Sequence, residues 1–179
     1  MNIMQPSDSF TFHNGKSPLL VSIPHDGRQL ITGMSSQMTE EALTLPDTDW
    51  YVNKLYAFSQ QLEASVISAD YSRYVIDLNR SSDDLNLYKD QKSTGLCPLK
   101  TFINKNIYLS SYQIDANEIS DRIGSYWTPY HEKIKTVLNQ KKAKFGYALL
   151  WDAHSIKSSV PGLFDGKLPD LNIGTNSGA

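Results

Sequence analysis

The chain has 179 residues, 40% of them hydrophobic, enough for one well-buried core and too few for two full domains. Its 17 Lys and Arg stand against 19 Asp and Glu for a formal net charge of -2, with no dense basic run, which argues against nucleic acid or an anionic membrane surface as a partner. A single cysteine, Cys97, rules out an internal disulfide, and no stretch approaches the ~20 apolar residues of a membrane span; the opening residues are polar where a signal peptide would be apolar. The composition reads as a cytoplasmic protein whose partner is a small molecule.

In chain order, residues 1–17 are polar and rich in Gly, Ser and Asn, with Phe10 and Phe12 alternating as an edge strand would. Leu19-Leu-Val-Ser-Ile23 reads as an apolar strand that stops at His25, where Gly27 allows a sharp turn. Residues 26–46 read as a surface loop with a short helix around Glu40 to Leu43. Tyr51, Leu55, Phe58 and Leu62 recur at helical spacing and predict a helix over 49–63, with Asp47 or Asp49 as its N-cap. Residues 64–68 and Tyr74 to Leu78 read as strands, the second ending in Asn79-Arg80, and residues 81–112 read as long loops. From Asp115 a helical face returns through Ile119, Ile123, Tyr126, Trp127, Tyr130, Ile134, Val137 and Leu138, with Pro129 as a predicted kink and a basic last turn. That helix runs directly into Tyr147 to Trp151, an uncharged apolar run read as a strand buried on both faces and ending in Asp152-Ala-His154-Ser155. Helix followed by strand is the crossover expected of a parallel sheet. No fixed-period repeat is present.

Ligands of open α/β sheets collect beyond the carboxyl ends of the strands, where the backbone leaves the core and presents side chains to a crevice. Two of the four histidines, His25 and His154, end predicted strands beside acids. A hydrolytic zinc site needs about three imidazole or carboxylate ligands and one position left for water, and His25, His154 and a carboxylate from Asp47 or Asp49 would fill that requirement. The blander alternative is that each imidazole satisfies a buried hydrogen bond and each acid caps a helix; the spacing is not the compact His-Glu-x-x-His pattern, so it does not decide. Arg73 and Arg80 bracket the Tyr74 to Leu78 run, where a guanidinium can grip a carboxylate in a fork or pair with Asp77, Asp83 or Asp84. Asp152, His154 and Ser155 cannot form a nucleophilic relay, because strand neighbours point to opposite faces. No Gly-x-Ser-x-Gly elbow or phosphate-cradling glycine loop occurs, and Cys97 reads as a small filler of a loop pocket.

Six segments then fall in order: Ser22-Ile-Pro-His-Asp-Gly27, Leu45-Pro-Asp-Thr-Asp-Trp50 with Leu55-Tyr56, Ser72-Arg-Tyr-Val-Ile-Asp-Leu-Asn-Arg80, Thr94-Gly-Leu-Cys-Pro98, Leu150-Trp-Asp-Ala-His-Ser155 and Leu168-Pro-Asp-Leu-Asn-Ile-Gly-Thr175. Together they resemble the N-formylglutamate amidohydrolase (N-formylglutamate deformylase) family. The resemblance implies an α/β, zinc-peptidase-like (phosphorylase/hydrolase-like) three-layer sandwich with a mixed, mainly parallel sheet, forming one amidohydrolase domain over residues 1–179. It implies hydrolysis of N-formyl-L-glutamate, a small anionic N-acyl amino acid, to formate and L-glutamate in histidine degradation. It also implies Zn2+ or another divalent metal at His25 and His154, with Asp49 favoured over Asp47 as third ligand. Arg80 becomes the clamp on a substrate carboxylate, helped by Arg73 or by Asn172 and Thr175, and Asp152 becomes the catalytic acid.

Two departures qualify this resemblance. Many members carry Glu where this chain has Asp152, one methylene longer, and members continue past the Gly-Thr loop. The resemblance therefore implies a missing C-terminal part that supplies further sheet and a general-base glutamate, with weak turnover by these 179 residues. Competing readings are a related zinc amidase acting on another N-acyl amino acid or a cell-wall peptide, and a non-catalytic binding module on the same fold.

Overall fold

The structure is a computed structural model, and it describes residues 9–84, 94–161 and 164–174. Four strands, β1 (Phe10–His13), β2 (Leu19–Ile23), β3 (Ser65–Ala69) and β4 (Leu149–Asp152), form one sheet in the order β1-β3-β2-β4. β2 runs parallel to both β3 and β4, and β1 closes one edge antiparallel to β3, so the fold is α/β with a mixed sheet. Parallel pairing places the carboxyl ends of β2 and β4 side by side: Ser22 stands opposite Asp152, and the Ala153 amide donates to the Ser22 carbonyl at 2.8 Å. The two chain exits that carry His25 and His154 therefore share one rim.

Alternation along the central strands feeds two cores. Leu20, Ile67 and Ala69 face the long helix α4 (Thr128–Phe145) and pack with Tyr130, Ile134 and Val137. Val21 and Ile23 face the other way and pack with Val52, Ala64 and Ala153. Buried Lys141 ties the helix to the sheet by donating from Nζ to the Ser17 carbonyl at 2.6 Å, just before β2 begins.

Several sequence expectations change here. The helix expected over 49–63 is broken into α2 (Val52–Leu55) and a 3-10 turn (Ala57–Gln60). Its supposed inner stripe, Tyr51, Leu55, Phe58 and Leu62, is 50–63% exposed, because the segment instead buries Val52 and Ser59 against the sheet. Tyr51 adopts a left-handed φ of 64° at the start of α2, and the Asn53 amide donates to the Asp26 carboxylate, so neither Asp47 nor Asp49 caps this helix. Residues 74–78 form turns and irregular chain rather than a strand, since their backbone bonds run to loops: the Asp77 amide donates to the Leu96 carbonyl at 2.7 Å. β4 is a strand as expected, but not one buried on both faces. It lies at the open edge of the described sheet, and Leu149, Leu150 and Trp151 are 40–55% exposed.

Other expectations agree with the structure. α1 (Glu40–Leu43) is capped by Thr39, whose side chain accepts from the Ala42 amide, and α3 (Ala116–Arg122) is capped by Asp115. Between α3 and α4 the chain makes a π-helical turn, Ile123–Trp127, immediately before Pro129. A proline lacks the N–H for an i→i−4 bond, and the wider turn absorbs the break where a kink was expected. Among the described residues no helix is long and apolar enough to cross a membrane.

Candidate metal centre

The site is assembled from three chain segments. β2 ends at Ile23, and Pro24 carries the chain to buried His25. Gly27 then passes so close to the neighbouring chain that a Cβ there would stand 2.3 Å from the Tyr71 carbonyl oxygen, so only glycine fits. The loop after α1 is pinned to the same strand exit, because the Asp49 amide donates to the His25 carbonyl at 3.0 Å. His154 arrives from the end of β4.

At this rim His154 Nδ1 lies 3.0 Å from Asp49 Oδ2, and His25 Nδ1 lies 3.8 Å from the same oxygen. One ligand atom from each of His25, Asp49 and His154 falls within 4.8 Å of the others. The two imidazole rings have centroids 5.0 Å apart. Two nitrogens and one carboxylate oxygen at that mutual separation match the donor set and reach of a zinc-type ion, whose bonds to them are about 2 Å. The residues present therefore fit a divalent metal.

Geometry also separates Asp49 from Asp47. The Asp47 carboxylate is occupied elsewhere, accepting from the Tyr74 hydroxyl at 2.7 Å and from the Phe102 amide at 2.9 Å. Burial and the Asp47 carboxylate push the Tyr74 phenol far above its usual range, so the hydroxyl keeps the proton it donates. Burial disfavours the charged form of Asp49, but the hydrogen bond from His154, the nearby His25 imidazole and the charge of Arg73 outweigh it and hold the carboxyl well below its ordinary value. Asp49 is thus ionised and available as a ligand.

Behind His25 stands a residue that the sequence offers only as an ion-pair partner for an arginine. Asp77, fully buried, accepts from His25 Nε2 at 2.8 Å and from Arg73 Nη2 at 2.6 Å. Burial opposes its charge, yet His25 and Arg73 hold its carboxyl well below the usual range. His25 is pulled both ways: burial and Arg73 lower its pKa, Asp77 and Asp49 raise it, and the net shift is upward. Asn79, two residues on, reaches His154 Nε2 at 3.3 Å. The ion pair with an arginine that the sequence offers for Asp77 is present, to Arg73, and the contact with His25 is what the sequence does not show.

The remaining sequence candidates separate clearly. Arg73 is buried and engaged with Asp77, with Asp49 at 3.7 Å and with the Asp47 carbonyl, and it sits among the ligands rather than facing a solvent-filled crevice. Arg80 is half-buried and, among the described residues, forms no ion pair. Its backbone is clamped instead, because Trp127 Nε1 donates to the Arg80 carbonyl at 2.8 Å while His131 Nε2 contacts the neighbouring Leu78 carbonyl at 2.9 Å. Asp152 is exposed at the end of β4. Asn172 is exposed and its amide donates to Pro169 within its own loop; Thr175 lies outside the described residues. Beside Asp49 opens a cavity of about 280 Å³, with Trp50, Phe102, Ile103, Ser155 and Lys157 in its walls.

A mixed sheet whose parallel strands bring two imidazoles to one ionised carboxylate defines an α/β protein with a candidate metal centre. Residues 17–179 match the N-formylglutamate amidohydrolase family, and the chain belongs to that family. It is 50% identical over 169 residues to the N-formylglutamate deformylase of Pseudomonas aeruginosa and 47% identical to that of Pseudomonas putida. Each match covers 94% of this chain and 63% of the relative, so the chain spans under two thirds of the length of these curated relatives. Among solved structures, an N-formylglutamate amidohydrolase from Ralstonia eutropha superposes with a TM-score of 0.70 at 22% identity, over 84% of this chain and 58% of that one. A protein from Agrobacterium tumefaciens gives a TM-score of 0.66 at 18% identity, over 88% of this chain and 60% of that one. At those identities the likeness speaks for the fold.

Proposed function

We propose that this chain carries the metal-binding and substrate-binding sector of a metal-dependent hydrolase that converts N-formyl-L-glutamate to formate and L-glutamate, a reaction serving histidine degradation. A zinc-peptidase-like, three-layer arrangement belongs to the same reading. The observation that carries it is the convergence of His25, Asp49 and His154 within 4.8 Å at the shared rim of β2 and β4. The names of the relatives at 47–50% identity supply the substrate.

In this reading His25, Asp49 and His154 hold Zn2+ or another divalent ion. Such an ion, when bound, polarises a carbonyl and makes water more acidic. The protein's own residues do the rest. Arg80, whose guanidinium forms no ion pair among the described residues and which follows Asn79 beside His154, binds a substrate carboxylate through a two-point fork. Asn172 and Thr175 are further candidate partners of the substrate. Arg73 keeps Asp49 and Asp77 charged inside the protein, which holds the ligand set in its binding form. The proton given up by the attacking water ends on the departing amine nitrogen as the C–N bond breaks, and Asp152 is the candidate acid that delivers it. The cavity beside Asp49 has room for a small acyl amino acid rather than a folded peptide. Its Trp50, Phe102 and Ile103 walls give some support to a second reading, a related amidase acting on a more apolar N-acyl amino acid.

Formate release from N-formylglutamate by the zinc-loaded chain tests the proposal. Release that a chelator abolishes and added zinc restores is expected. No zinc uptake and no release would favour a non-catalytic binding module on this fold.

A further inference from the structure

The short turn from Asp77 to Arg80 touches both imidazoles of the centre from outside. Asp77 Oδ1 contacts His25 Nε2 at 2.8 Å, and Asn79 Nδ2 contacts His154 Nε2 at 3.3 Å. The turn is itself fixed on both sides. The Asn79 amide donates to Asp77 Oδ1 at 2.9 Å, Arg73 grips the other Asp77 oxygen, and Trp127 and His131 of the helical layer hold the Arg80 and Leu78 carbonyls. We propose that Asp77 and Asn79 are paired positioning residues, each fixing which nitrogen of one imidazole faces the shared ion. The inference rests on the metal reading above.

The chemistry of the two partners differs in a way that suits their places. An ionised carboxylate only accepts, so Asp77 requires a proton on His25 Nε2 and leaves the Nδ1 lone pair pointing toward Asp49. Outer carboxylates of this kind orient a ligating imidazole and raise its basicity. Asn79 carries both a donor and an acceptor on one carboxamide, so it can serve His154 whichever ring nitrogen holds the proton. That freedom matters at His154, whose Nδ1 donates to Asp49 when its Nε2 accepts from Asn79. One rigid turn thereby orients both rings, holding the Nδ1 side of His25 and of His154 toward the same Asp49 oxygen.

Two measurements on the whole chain test this. The first is zinc affinity, by competition with a chromophoric chelator, for wild type, Asp77→Asn and Asn79→Ala. Asp77→Asn is expected to bind zinc about 10- to 100-fold more weakly. Asn79 is exposed, so Asn79→Ala should lose several-fold in affinity with an unchanged melting temperature. The second is the nitrogen NMR signature of His25 in metal-free protein at a pH where the ring is neutral. The Nε2–H tautomer is expected in wild type and a tautomer mixture in Asp77→Asn. If wild type binds zinc and both variants bind it equally well, the positioning role is wrong while the metal reading stands. If wild type takes up no zinc, the metal reading falls and the positioning role with it. Should Asp77→Asn fail to fold, Asn79→Ala and the wild-type tautomer still decide: unaltered affinity in Asn79→Ala together with an Nδ1–H tautomer at His25 overturns the proposal.

Discussion

Asp49→Asn is expected to lower zinc affinity about a hundredfold or more while leaving the protein folded. Structural zinc sites with four ligands bind with ~10–16 kcal/mol, or roughly 2.5–4 kcal/mol per ligand, and each ~1.4 kcal/mol is tenfold in affinity. Asparagine keeps the shape and an oxygen to accept from His154 Nδ1 and the Ser155 amide, but it lacks the negative charge that Arg73 and the imidazoles sustain at this position. The informative partner is Asp47→Asn, two residues away and just as buried. Its carboxylate anchors the Tyr74 hydroxyl and the Phe102 amide, so that variant should lose a few degrees of melting temperature and retain its zinc. Metal titrations beside thermal melts read both outcomes. Equal zinc affinity in Asp49→Asn and wild type would remove Asp49 from the ligand set.

Arg80→Ala is expected to weaken recognition of N-formylglutamate by about 10- to 100-fold, from the ~1.5–3 kcal/mol of a charged hydrogen-bonded contact. The loss should fall on KM, or on the dissociation constant measured by calorimetry, more than on kcat, since the clamp acts equally on substrate and transition state. Arg73→Ala should behave differently. That guanidinium is buried between Asp77 and Asp49, so its removal leaves two carboxylates without their cation and costs folding before it costs recognition. N-formylglutamine, which lacks one carboxylate, supplies the control: the wild-type preference for N-formylglutamate over it should collapse in Arg80→Ala. A preference that survives intact would place the carboxylate elsewhere and favour the more apolar amidase substrate.

The elements that form the site were legible where polarity changes abruptly along the chain. His25 and His154 each stand just beyond a mostly apolar run, and a strand of that kind ends at a sheet rim, so their meeting beyond β2 and β4 could be expected. Asp49 was less legible. It and Asp47 sit two apart in a loop, and the choice depends on long-range partners, Tyr74 and Phe102 for one and His154 for the other. The contact of Asp77 with His25 was hidden because an aspartate in the segment Tyr-Val-Ile-Asp-Leu reads as a polar position on a strand; the turn that aims it at His25 is set by loop contacts such as Leu96. The two largest misreadings share a cause. Periodicity along Tyr51 to Leu62 and apolarity along Leu149 to Trp151 both state that a surface is greasy, and neither states which neighbour covers it. In the structure Val52 and Ala64 take the core positions that the stripe was expected to fill.

The ligand shell of a bound ion is the most direct test of the centre. X-ray absorption on the chain loaded with one equivalent of zinc should show only nitrogen and oxygen neighbours at ~2.0–2.2 Å, with the outer scattering of two imidazoles. His25→Ala and His154→Ala should each remove one imidazole from that pattern. A shell containing sulfur from Cys97, a shell of water alone, or two imidazoles still present in both variants would contradict a centre built from His25, Asp49 and His154.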